Sequence, residues 1–211
     1  MKLRIITLLC CLSFTFVASA QACGGQIARK GNGNVVHAKS TTPVLKLIDW
    51  NSVKQTDIEL IEGDLSKSLT FLNSLSETTS YIEERPMVQN LLRQNLYNIT
   101  PNDLIQYKKV RSIQVEPYGI FLYDFFNCKF SMRNGTIFFQ KTTGSQRKSG
   151  YIYRKDDKSA IFLGGWSVND EPLTKYGSDN SVIGSLYKIS SQKLIMLFYY
   201  GNSFELYEFS R

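Results

Sequence analysis

The sequence predicts an α+β chain, with N-terminal helices packed on an antiparallel up-and-down β-sheet or barrel of about eight to nine strands. Three observations lead there. Apolar residues recur at intervals of three and four between positions 58 and 75, the stripe of an amphipathic helix. Beyond residue 107 the apolar runs are short and aromatic, with turn residues between them roughly every ten residues, the spacing of an antiparallel meander. No strand–helix alternation follows, which argues against a parallel dinucleotide fold.

In chain order, residues 1–22 read as a signal peptide. Lys2 and Arg4 precede an apolar run from Ile5 to Val17, and the small residues Ala18, Ala20 and Ala22 follow. The run has 13 residues, short of the roughly 20 that span a bilayer. The rest of the chain is therefore expected in the periplasm or secreted. Residues 23–45, rich in Gly, Asn, Lys and Ser, read as a flexible tether. Cys10 and Cys11 leave with the signal, so Cys23 and Cys128 form the predicted disulfide. A lipid on Cys23, after Ala20-Gln21-Ala22, is a second outcome and would anchor the chain to a membrane. Two free thiols are the third.

Residues 46–211 read as one globular domain, helical over 46–105 and β over 106–211. Thr56 and Glu59 have the spacing of a capping box. Ile58, Ile61, Leu65, Leu69, Leu72 and Leu75 then mark a helix of about twenty residues, with Gly63 inside it. Pro86 suits the first turn of a second helix with a face of Val88, Leu91, Leu92 and Leu96. Thr100-Pro101-Asn102-Asp103 opens a short third. Strands are expected near 108–115, 119–127, 128–133, 136–141, 150–155, 159–164, 182–189, 193–200 and 203–209. Asn134-Gly135 is the strongest hairpin signal. The segment 165–181 is the one long loop, and long loops often carry function.

The formal charge is +7. Residues 108–158 hold 11 basic and 4 acidic side chains, which is the whole excess. Such a patch suits an anionic envelope component, lipid or glycan, or a protein partner rather than nucleic acid. The plainer explanation is solubility and protection of sheet edges.

The stretch "KTTGSQRKSG", Lys141 to Gly150, gathers glycines, hydroxyls and cations like an anion cradle. A nucleotide P-loop needs G-x-x-x-x-G-K-[ST] between a strand and a helix. Gly144 and Gly150 stand one residue too far apart, and strand patterns flank them on both sides. A hairpin loop accounts for both glycines. The candidate ligand-binding residues are Lys141, Thr143, Gly144, Ser145, Gln146, Arg147 and Lys148, with Trp166 and Tyr176 from the long loop. One His and scattered Cys give no metal signature, and no cofactor is expected. A catalytic triad would have to draw His37 from the tether. Carboxylate chemistry has Asp124, Asp170, Glu171, Asp179, Glu205 and Glu208 to choose from. The aromatic runs 121–126 and 197–200 either fill a barrel or line a small-molecule cavity, and filling is the commoner outcome.

The order Cys128-Lys-Phe, Gly135, Lys141-Thr-Thr-Gly144-Ser-Gln-Arg147, Gly150, Phe162-Leu-Gly-Gly165, Tyr176-Gly177, Val182-Ile-Gly184 and Phe204-Glu205-Leu-Tyr-Glu resembles an uncharacterised secreted bacterial family, a domain of unknown function of the 4893 type. The resemblance covers about residues 48–210. It implies an envelope location and makes Gly144, Ser145, Gln146 and Arg147 a family feature. It implies no activity. The expected function is thus an envelope-associated binding module for an anionic lipid or glycan at a basic hairpin. A carboxylate-dependent hydrolase of an envelope polymer and a small-molecule carrier are the alternatives.

Overall fold

The computed structural model describes residues 42–211. Leu45, assigned above to the tether, is buried in the core, and Leu47 bridges to Arg154.

The helical stripe forms two helices rather than one, α1 (Gln55–Ile61) and α2 (Asp64–Ser74). Gly63 separates them at φ +65°, a left-handed conformation that side-chain-bearing residues resist. Lys54 occupies the cap position of α1 without a side-chain bond, so the Thr56–Glu59 box does not form. Pro86 does sit in the first turn of α3 (Arg85–Leu92). Thr100 and Asp103 close a true capping box on α4 (Pro101–Leu104). Asp103 also pairs with Lys188 at 2.9 Å, tying that turn to the sheet.

Nine strands follow: β1 (Lys109–Glu116), β2 (Gly119–Leu122), β3 (Phe126–Arg133), β4 (Thr136–Lys141), β5 (Gln146–Arg154), β6 (Ser159–Val168), β7 (Ser181–Lys188), β8 (Leu194–Tyr199) and β9 (Phe204–Ser210). All pairings are antiparallel. β3 to β9 run in order, and β1 closes the ring along β9 from Lys109–Ser210 to Val115–Phe204. The result is a closed eight-stranded barrel with β2 as an added strand on β1. On its other side β1 meets β3 only at Lys109–Asn127 and Val110–Phe126. The expected strand 119–127 is broken between these two roles. Asn134 and Gly135 both have positive φ, +50° and +75°, as a type I′ hairpin requires.

Alternation divides the side chains between the barrel interior and its outer face. Phe130, Phe139, Phe162, Phe198, Tyr207 and Phe209 point inward and meet edge-to-face or tilted. They fill the barrel toward the α4 end. Ile113, Val115, Ile195, Leu197, Phe204 and Leu206 point outward beneath Leu72, Leu75, Val88, Leu91 and Leu92 of the helices. Sheet covered on both faces loses its polar alternation, and Leu194 to Phe198 are all buried. Gly164 has no room for a side chain: a Cβ there would lie 2.1 Å from the Ser149 carbonyl oxygen and 2.5 Å from the Phe162 ring.

Candidate functional site at the barrel mouth

The opposite end of the barrel is polar. β5 begins at Gln146, so only residues 142–145 of the basic stretch form the hairpin turn. Gln146 to Ser149 form strand instead, paired along β6 from Gln146–Val168. The expectation of a basic loop tip is corrected by this register. Lys148 points into the barrel beside Glu205, which faces it from β9. Lys148 Nζ donates to Glu205 Oε2. Ser112 Oγ, from β1, donates to Glu205 Oε1 at 2.5 Å. The Lys148 ammonium also lies 4.7 Å from the Phe198 ring centroid and 4.9 Å from that of Tyr207. Burial alone would lower the Lys148 pKa, but Glu205 overrides it and holds the ammonium charged.

Lys141 ends β4 on the same interior row and is only 4% exposed. Its ammonium has no hydrogen-bond acceptor among the described residues. It sits 4.5 Å from the Phe126 ring centroid and 5.7 Å from that of Tyr207. Burial, opposed by Glu205 and reinforced by Lys148 and Arg147, draws its pKa down to about 8. It faces a cavity of about 260 Å³ lined by Ser112, Gln114, Tyr123, Phe126, Ser145 and Gln146. That cavity opens where β1 parts from β3. Gln114 bridges it, accepting from Tyr123 at 3.1 Å and donating to Gln146 at 3.3 Å.

A second cavity, about 310 Å³, shares Gln146 and lies on the β6–β7 side. Arg147, Trp166, Ser181, Val182 and Tyr200 line it, with Lys148 and Glu205 at its floor. Trp166 stands opposite Lys148 in register and is 41% exposed. Tyr200 is 45% exposed; burial of its hydroxyl end raises its pKa, with Lys148 opposing.

The remaining sequence candidates are structural in place. Thr143 Oγ1 accepts from the Asn127 amide at 2.8 Å. Gly144 turns the hairpin at φ +87°. Arg147 Nε donates to the Gly144 carbonyl at 2.8 Å and its guanidinium reaches Asp170 at 3.7 Å. Tyr176 lies away from the mouth, donating to Asp57 Oδ2 at 2.5 Å on the outer face. The long loop contracts to residues 169–180, because β6 runs on to Val168. The carboxylates Glu205 and Glu208 part company: Glu205 faces the interior, while Glu208 pairs outside with Arg111 and Lys193. Cys128 is a buried thiol with no disulfide partner among the described residues, and burial pushes its pKa up to about 12. Its expected partner Cys23, and the whole leader, lie outside the described residues. Tyr123, Phe126 and Tyr200 belong to the aromatic runs 121–126 and 197–200; Ser112 and Gln114 were not anticipated. The phase Val110, Ser112, Gln114 marks them in retrospect, since it sets polar side chains on the core-facing side of an apolar strand.

The family described as Domain of unknown function (DUF4893) matches residues 104–201. That stretch of the chain is similar to the DUF4893 family. No curated protein and no solved structure matches it. The DUF4893 match holds Lys141, Lys148 and Trp166 and stops before β9, so Glu205 completes the site from beyond it. The family's description assigns no activity.

Proposed function

We propose that the barrel mouth receives the acidic group of a ligand, which makes the protein a binding module. The observation that carries this is Lys141. The Lys141 side chain is buried and its ammonium opens on the cavity without a protein acceptor among the described residues; its loss of water is a cost, of which contact with ring faces offsets only about 0.5–2 kcal/mol. An anion entering the adjoining cavity would meet that ammonium together with neutral hydroxyl and amide groups. Lys148 and Arg147 act on Lys141 with the same sign of charge and Glu205 with the opposite sign, while Asp170 reaches Arg147 and Glu116 lies near Glu205. The anion is thus received inside the mouth rather than on the hairpin tip.

The hydrolase reading has less support. Both Glu205 oxygens already accept hydrogen bonds, from Ser112 and from the charged Lys148, so this carboxylate is held as an ion-pair partner rather than as a free base. The carrier reading needs a hollow interior, and the aromatic packing occupies it. The leader-like residues 1–22 support a place of action outside the cytoplasm, where acidic envelope polymers are the partners at hand.

Titration of the protein with acetate and with inorganic phosphate, followed by NMR of the Gln114 and Gln146 side-chain amides, tests the reading. Saturable shifts are expected in the parent and none in Lys141→Met. Identical shifts in both proteins would reject it.

A further inference from the structure

Resting on that reading of the mouth, we infer that the ligand is an acidic sugar, its carboxylate beside Lys141 and its ring against the Trp166 indole. The two cavities adjoin at Gln146, which lines both. Gln140 pairs with Ser149 and Lys148 with Trp166, so Lys141, Lys148 and Trp166 occupy one interior row across three strands. Two strand spacings separate its ends, roughly 10 Å, a length that a carboxylated mono- or disaccharide covers. Trp166 is inward-facing by register yet 41% exposed. Core-side indoles are normally covered, so this ring stands open at the cleft. Around it lie the neutral polar groups of Gln146 and Ser181. A flat aromatic face bordered by amides and hydroxyls is the chemistry that receives the C–H face and hydroxyls of a sugar.

Charge selects the acid. Lys148 is neutralised by Glu205, and Arg147 is held by Gly144 and Asp170. Only Lys141 lacks an acceptor, so the site matches one negative charge, as a carboxylate has, rather than the −1.5 to −2 of a phosphate monoester. The filled interior disfavours a lipid. Phe162, Phe198 and Tyr207 close the barrel beneath the cleft and leave no channel for an acyl chain.

The test uses the protein with Trp50→Phe, so that Trp166 is the one reporting indole. Emission and calorimetry are followed with digalacturonate, a glucuronic-acid disaccharide, an uncharged disaccharide of the same linkage, acetate, and vesicles containing an anionic lipid. One of the uronates is expected to bind with a Kd at least about tenfold below those of acetate and the neutral sugar. Lys141→Met should erase the preference for acid over neutral sugar. Trp166→Leu, which keeps apolar bulk, should bring the uronate to the level of acetate while the melting temperature stays put. If acetate binds as tightly as both uronates and still depends on Lys141, the sugar inference falls and the anion reading stands. If vesicles bind through Lys141 and neither uronate does, the sugar is replaced by a lipid headgroup. If no probe binds the parent, both readings fall.

Discussion

Two lysines seven residues apart on the same interior row behave in opposite ways. Lys148 has a carboxylate, and Lys141 has none. Removing one member of a buried pair leaves a charge without compensation, so Glu205→Gln should cost about 3–5 kcal/mol by urea denaturation, while the paired change Lys148→Met with Glu205→Leu should recover most of it. A double variant no more stable than Glu205→Gln would show that the pair's packing, not its charge, matters. Lys141 gives a pH signature. Its pKa falls from 10.5 to about 8 on folding, so between those values the unfolded chain holds more protons and stability rises with pH. Lys141→Met should therefore be more stable than the parent at pH 7, with the gap closing by about pH 10. A gap that ignores pH would remove the buried charge from the account. This contrast was only half legible beforehand. The run Lys141–Gly150 shows its cations plainly, but a run with no apolar alternation does not say which side chains face in. Glu205, the partner that settles Lys148, is 57 positions away in sequence.

At the level of elements, the stripe 58–75 and the aromatic meander were readable because burial leaves a period in the sequence. All nine strands were anticipated in order, β4 with both its ends, while the end of β2, the start of β5 and the end of β6 were not. Gln146 to Ser149 join β5 through backbone pairing with β6, an interaction that leaves no hydrophobic trace. Gly63 was visible as a weak point but not as a break, since one glycine costs a helix only about 1 kcal/mol in propensity. Two glycine substitutions separate backbone from packing. Gly63→Ala meets nothing within 4 Å and should cost only about 1 kcal/mol, the penalty of the left-handed conformation. Gly164→Ala forces a methyl against the Ser149 carbonyl and the Phe162 ring and should cost at least the 1–3 kcal/mol typical of overpacking. Urea midpoints measure both, and equal losses would refute the close approach of β5 to β6.

For the whole molecule, the decisive feature is unequal closure. β1 is zipped to β9 along seven residues of β1 but touches β3 at its first two only. Hydrogen-bonded ladders open cooperatively, so the short seam should part at lower free energy than the rest of the barrel. The Lys141 cavity lies at that seam, with walls from β1, β3 and β4. Cys128, buried next to the seam on β3, is a ready reporter. With its pKa near 12, it is almost entirely protonated at pH 8 and inert while enclosed. In a variant with Cys10, Cys11 and Cys23 changed to Ser, modification by a disulfide reagent should report opening. If the seam parts locally, the rate should depend only weakly on urea, because little surface is exposed, whereas global unfolding would show the full denaturant slope. An anion bound across β1 and β4 should slow the same reaction in proportion to its occupancy. A labelling rate with the full global slope, unchanged by any bound anion, would mean that the barrel opens as one unit and that the mouth is not a gate.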